Sequence, residues 1–467
     1  MEYREYMDTL GEQIKNARAR RMVLREIQGH IEEQCAAYEA QGMGSQEAME
    51  QAVLQMGDPV RTGAELDRIH RPRTPWSLIC LALGLTAVGI VTQFLIFYNM
   101  ADSPSWENVW MHNGRNTVIY NLIGLAVMLG MMYVDYSFIG RHVYFLYGLY
   151  LGGIFIIHMW PLSYDQSQSA FYHMVSLYPI LLAGLVYRGR KKGMKGLWLC
   201  MALTFAVPAF CVGCLGHINS ACPEILLISG IMLLTAVHRN IFGGRRRQWL
   251  TLAGTAALCV VGIGYMAVCE NSWLSGNQRA RLFCFLHPEK AANGAGYIAI
   301  RQRELLGSYS LWGQQGLVER LADGGPGGTD LAGAYVLSVI FAGFGILAGV
   351  LVVSGLLYFW GKALRISLGQ RNRLGMLTGM ACSLSLLLHS AVLIAINCGY
   401  SLYYTTGIPF LAYGLGYAVT NGVVVGLLLC VCRNGGILGE EASARAESFR
   451  LGRHRYRLRV ERLSDQD

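Results

Sequence analysis

Long apolar runs recur down this chain, each close to the length that about 30 Å of hydrocarbon demands of a helix. Read in order, they fall at about 76–98, 116–134, 142–158, 171–187, 195–213, 222–238, 249–269, 332–360, 374–396 and 408–431. Backbone in lipid must satisfy its own hydrogen bonds, so segments of this length are read as helices. The expected fold is all-α, a polytopic membrane protein of about ten transmembrane helices. Charge content agrees: only 15% of the 467 residues are charged, against roughly a quarter in soluble domains. The N-terminus, MEYREYMDTLGEQIKNARARR, has no apolar core for signal recognition. The first span is therefore expected to act as its own insertion signal.

Basic residues order the loops. Arg188, Arg190, Lys191, Lys192 and Lys195 follow the fourth run, and Arg239, Arg245, Arg246 and Arg247 follow the sixth. Lys362, Arg365, Arg371 and Arg373 follow the eighth, and Arg433 follows the tenth. The loops after runs one, three, five and nine carry almost none. By the positive-inside rule both termini are expected in the cytoplasm. Much of the +9 net charge is this topology signal. The Arg-rich segment 434–467 is expected near anionic headgroups rather than on nucleic acid.

Ahead of the spans, residues 1–70 are expected to form a small cytosolic helical domain, joined by a linker at 71–75 to a membrane domain at 76–433. Leu10, Ile14, Leu24, Ile27 and Ile31 recur at helical spacing and predict one amphipathic helix. Gln41-Gly42-Met43-Gly44 breaks it, Ser45 is a plausible N-cap for a second helix, and Asp58-Pro59 opens a third. The pattern His30-Ile31-Glu32-Glu33-Gln34 followed by Gly57-Asp58-Pro59 resembles the prefix domain found ahead of some bacterial permease-like proteins. Docking or regulation is the role this implies.

One long polar segment, 270–331, interrupts the apolar pattern and is placed outside the cell. Connections of this size are more often functional than filler. It carries Arg279 and Arg281, whose guanidiniums suit a diphosphate through bidentate hydrogen bonds; ordinary loop solvation is the competing reading. Its end, PGGTD, leads into the eighth run. Thr329 and Asp330 either cap that helix, with the carboxylate complementing its dipole, or offer Asp330 as a general base at the outer surface. Cys269 and Cys284 flank the start of the loop and either pair there or remain thiols. The other cysteines show no metal-ligand spacing, and no metal-binding residues are assigned. Glu224 and Asn397 lie at the ends of runs six and nine, and polar groups at membrane depth are functional candidates. His158, His173 and His389 stand isolated in the sequence and read as packed histidines.

Three segments together resemble the SEDS family (shape, elongation, division and sporulation; the FtsW/RodA/SpoVE group). Arg279-Ala280-Arg281-Leu282 through Pro288 and Gly296-Tyr297 looks like the family's RxRI…P…GYQ, with Ile298 in place of the glutamine. GSYSLWGQQG and PGGTD look like its GGxxGxG and P…TDF segments. Ile396-Asn397 and the run from Thr406 to Gly414, TGIPFLAYG, are similar to IN…TGIxLPFxSYGG.

The resemblance implies ten spans and a glycosyltransferase that polymerises lipid II into peptidoglycan at the outer face of the bacterial cytoplasmic membrane, in cell shape, division or sporulation. It implies a class B penicillin-binding protein as partner and a divalent metal ion, Mg or Mn. Asp330 would be the catalytic residue, with Arg279, Arg281, Asn397 and Tyr413 binding substrate. Aligned on GAYVLSVIFAGFGILAG, however, Ala334 stands where the family aspartate belongs and Asp330 falls four residues earlier. Val175-Ser176-Leu177-Tyr178-Pro179 replaces the family's PSE-like motif in span four. A catalytically inactive SEDS-like scaffold that binds lipid II or a penicillin-binding protein therefore stays open. A transporter is a third reading, though the intramembrane charge it needs is sparse.

Overall fold

A computed structural model describes residues 2–72, 74–100, 107–159, 164–215, 221–268, 287–292, 296–313, 332–370, 372–400 and 407–435. The chain divides into two compact units, with Met1–Arg73 in one and Thr74–Arg433 in the other.

The first unit contains α1 (Tyr3–Gln13), α2 (Ala17–Ala40), α3 (Ser45–Gln55) and α4 (Pro59–His70). Its core is Tyr6, Leu10, Ile14, Val23, Ile31, Ala48, Ala52 and Val53. The single helix expected across Leu10 to Ile31 is two. The chain leaves helical geometry at Ile14, and the Asn16 side chain accepts from the Ala19 amide to start α2. At α3 the N-cap is Gly44 rather than Ser45. Asp58 caps α4 as expected, accepting from the amides of Val60 and Arg61 beside Pro59 in the first turn.

In the second unit the described residues include ten long helices. These are α5 (Trp76–Met100), α6 (Glu107–Met131), α7 (Ser137–Met159), α8 (Tyr164–Arg188), α9 (Gly193–Leu215), α10 (Ala221–His238) and α11 (Arg245–Val268), then α13 (Val336–Leu368), α14 (Arg373–Asn397) and α15 (Leu415–Arg433). A shorter α12 (Tyr297–Leu306) lies between α11 and α13. Six of these helices, α5, α7, α9, α13, α14 and α15, are long and apolar enough to cross a membrane. Ser176–Arg188 and Glu224–His238 are apolar but shorter. Burial separates their places in the bundle: 67% of the apolar window of α14 is buried, against 22% in α7. Thus α14 lies farther inside the bundle than α7, whose exposed Phe145, Leu149 and Phe155 face outward.

Small residues let two helices meet backbone to backbone. Ala418, Gly422 and Gly426 recur every four residues along one face of α15 and oppose Gly124 and Met128 of α6. A Cβ on Gly422 would overlap the Gly124 carbonyl oxygen, and one on Gly426 the Met128 carbonyl oxygen. This is how helices associate where lipid removes the hydrophobic drive.

Helix α13 differs from the run expected at 332–360. A turn at 333–335 precedes it, it begins at Val336, and it breaks at Gly345 (φ 90°, ψ 172°). The loop segment 310–313 docks into that break. Ile346 and Leu347 donate their amides to the carbonyls of Ser310 and Leu311, and Tyr309 stacks on Phe341 with ring centres 5.8 Å apart. Only glycine fits there, because a Cβ on Gly345 would strike the Leu311 carbonyl and the φ is left-handed. Irregular backbone inside a membrane bundle survives where protein satisfies it.

Candidate functional site

Two described corners of the bundle carry buried polar groups, and a turn connects them. The first lies where α12, α13 and α14 meet. Asn397, the last residue of α14, accepts on Oδ1 from the Ser338 amide at 2.9 Å and from the Ser338 hydroxyl at 2.8 Å. Its Nδ2 donates to the carbonyls of Ala334 and Leu393, both at 2.7 Å. Ser338 Oγ also lies 2.8 Å from Gln302 Oε1, an alternative acceptor for its one hydrogen. Gln302, Ser338 and Asn397 are all buried. Two donors and two acceptances saturate the Asn397 amide. These bonds pin the end of α14 to the start of α13.

Ala334 sits in this corner, buried, with its carbonyl held by Asn397. The position aligned with the family aspartate is therefore surrounded by neutral amide and hydroxyl groups bonded to one another. A helix running unbroken from Asp330 through this point is not what forms, since residues 333–335 are a turn. Asp330, Arg279 and Arg281 lie outside the described residues, as do Cys269 and Cys284. Just outside the corner, Arg303 on α12 donates Nε–H to the Gly399 carbonyl at 2.9 Å and Nη1–H to Glu289 at 3.1 Å.

The turn is 407–414, expected as the start of the tenth span and observed as non-helical chain before α15. Its sequence now has physical reasons. Phe410 has φ 70°, a left-handed conformation costly for an aromatic residue. Its ring lies nearly parallel to Trp360, 10° between planes and 5.5 Å between centres. Gly89 gives the turn room, since a Cβ there would overlap the Phe410 carbonyl oxygen. Gln93 Nε2 donates to the Leu411 carbonyl at 2.7 Å. Tyr413 donates its amide to Ala332 at 2.9 Å and its hydroxyl to Asn113 Oδ1 at 3.1 Å, with Phe97 edge-on 4.8 Å away. Tyr413, the expected substrate-binding residue of this segment, ties the turn to α5, α6 and the entry of α13.

The second corner is ionisable. Glu224 on α10 and His389 on α14 are 3.8 Å apart and buried. His389 also contacts the Gly407 carbonyl. His173 of α8 packs edge-on against Tyr417, with 4.6 Å between ring centres. The histidines read as isolated are thus not all so, because helices α8, α10, α14 and α15 converge here. Sequence spacing carries no sign of this; an acidic residue and a histidine in separate apolar runs are the only hint. Among the described residues no group of three or more His, Cys, Asp and Glu side chains could hold a metal ion.

The second unit is thus a polytopic helical membrane bundle with a broken helix and a buried amide corner at its end. More particularly, it has the SEDS fold. It is similar to a chain of a peptidoglycan synthase complex that coordinates polymerization and crosslinking, at TM-score 0.57 and 17% identity, covering 77% of this chain and 98% of that one. It also aligns with Thermus thermophilus rod shape determining protein RodA at TM-score 0.48 and 14% identity, covering 78% of this chain and 97% of that one. A point mutant of the same RodA gives TM-score 0.49, 14% identity, and coverage of 78% and 98%. No protein-family profile matches the chain, and no curated protein matches it by sequence.

Proposed function

We propose that this chain polymerises lipid II as a peptidoglycan glycosyltransferase at the outer face of the bacterial cytoplasmic membrane, beside a class B penicillin-binding protein. The observation that carries the reading is the likeness, covering 77% of this chain and 98% of the other, to a chain of a peptidoglycan synthase complex. In this proposal both termini are cytoplasmic and residues 1–70 are a docking or regulatory input. Arg279 and Arg281 hold the diphosphate of the lipid-linked donor. Asp330 takes the proton of the acceptor 4-hydroxyl, whose oxygen bonds to the donor anomeric carbon as the bond to the diphosphate breaks. The family's divalent metal finds no fit among the described residues: the amide, hydroxyl and carbonyl oxygens around Ala334 are engaged with one another.

A second reading is favoured by one specific observation, the neutral Asn397 network at the Ala334 position. It makes the protein a lipid II-binding scaffold without polymerase activity. Purified protein given fluorescent lipid II separates the two. The polymerase reading expects glycan polymer from wild type and none from Asp330→Asn. Lipid II binding with no polymer from wild type establishes the scaffold, and polymer from Asp330→Asn at the wild-type rate removes Asp330 from the chemistry.

A further inference from the structure

The contacts of His389 constrain where its protons can sit. Its Nε2 lies 3.2 Å from the Gly407 carbonyl oxygen, and a carbonyl only accepts, so a hydrogen bond there requires hydrogen on Nε2. Its Nδ1 faces Glu224 Oε1 at 3.8 Å. With hydrogen only on Nε2, Nδ1 would turn a lone pair toward a carboxylate, setting two acceptors against each other. One additional proton removes the conflict, whether it resides on Glu224 or on Nδ1, and either way the pair is neutral overall. Without it the two side chains together carry one negative charge in the interior of the bundle, where buried charge is costly.

Among the described residues, the other elements packed on α14 bring three further groups near the pair. From α8 comes His173, within electrostatic reach of His389, so that protons on both rings repel. From α15 comes Tyr417, against His173. Helix α13 presents Trp360, whose indole N–H donates to Ser390 at 3.1 Å and does not titrate.

We propose that Glu224 and His389 form an intramembrane proton-binding pair that locks the 407–414 turn to the bundle. While the pair holds its proton, Nε2–H binds Gly407. When that proton leaves to water, the Glu224 carboxylate draws the remaining imidazole hydrogen to Nδ1. The bare Nε2 then faces the Gly407 carbonyl and repels it. The turn is suited to respond, since Phe410 holds a left-handed φ of 70° only through its surroundings. Its movement reaches the Ala334 corner through the hydrogen bond from the Tyr413 amide to Ala332. None of this depends on polymerase activity, so the two proposals fail separately.

The test uses the full chain in lipid nanodiscs. Infrared difference spectra across pH read the protonated carboxyl of Glu224, and hydrogen exchange reads backbone protection over residues 408–413. Corrected for intrinsic pH dependence, exchange in the wild type rises by roughly fivefold to tenfold as the pair loses its proton, the factor for losing one buried hydrogen bond. Glu224→Gln keeps a donor facing Nδ1, so exchange stays slow and flat with pH. His389→Ala makes it fast and flat. Flat exchange in the wild type, or a wild-type slope in Glu224→Gln, overturns the proposal.

Discussion

At the Ala334 corner three helices bury a carboxamide, a hydroxyl and a second carboxamide, with every hydrogen-bonding position of Asn397 answered by protein. Some distance along the same α14, the bundle buries a carboxylate against an imidazole instead. Both avoid the penalty of unpaired polarity in a low-dielectric interior, by different means. The amide network of Gln302, Ser338 and Asn397 is neutral at every pH and has one protonation state. The acid–base pair is neutral only while it holds a proton, and so has two. A closed network gives rigidity; a titrating pair gives a response. The first lies at the position aligned with the family aspartate, and the second beneath the 407–414 turn.

The largest effect that tests this contrast is expected at Asn397. Asn397→Ala leaves the buried Ser338 amide and the Ala334 carbonyl without their partner, a loss of about 3 kcal/mol. Thermal unfolding in detergent should show a lowered midpoint, equally lowered across neutral pH because the side chains of Gln302, Ser338 and Asn397 do not titrate there. A pH-dependent deficit across that range would mean that an ionisable group is coupled to the network.

Next in size is Glu224→Ala, which leaves His389 buried without its acid. A loss of about 2 kcal/mol is expected, below the 3–5 kcal/mol of a fully ionised buried pair because this one can exist with both partners neutral. Glu224→Gln should recover most of it, since an amide can donate to Nδ1. The same unfolding measurement decides. If Gln is as damaging as Ala, the negative charge rather than the proton is what the site needs.

What the sequence made legible follows from the physics involved. Apolar runs locate helices because lipid leaves the backbone no alternative, and the ten runs correspond in order to ten helices. The segment TGIPFLAYG could be singled out, but not the reasons for it, which are Phe410's φ, the space over Gly89 and the contact with His389. Run boundaries misled where polar residues belong to a helix or apolar ones to a turn. Helix α6 begins at Glu107 rather than 116, and Asn113 and Asn121 on it reach Tyr413 and Gln93. Pairings such as Glu224 with His389 are tertiary, and no local spacing encodes them. Asn397 was noticeable as a polar residue at membrane depth; that it is saturated by Ser338 and Ala334 depends on where α13 starts.

Arg303 offers the smallest and cleanest comparison, because it joins α12 to the end of α14 beside the Asn397 network but in water. It makes one hydrogen bond to a carbonyl and one ion pair, with its side chain 36% exposed and that of Glu289 66% exposed. Solvent competes for both contacts, so Arg303→Ala should cost only about 1 kcal/mol despite removing as many bonds to protein as a buried residue would. Part of that should fade with added salt, which screens the Glu289 contribution and leaves the Gly399 bond. Arg303→Lys keeps the charge but loses the planar fork that reaches both partners, and should fall between wild type and Ala. Unfolding midpoints of the three proteins at low and high salt measure this. A salt-independent loss as large as that of Asn397→Ala would mean that the surface staple and the buried network act as one unit, and that the boundary between dry and wet polarity lies farther out than Arg303.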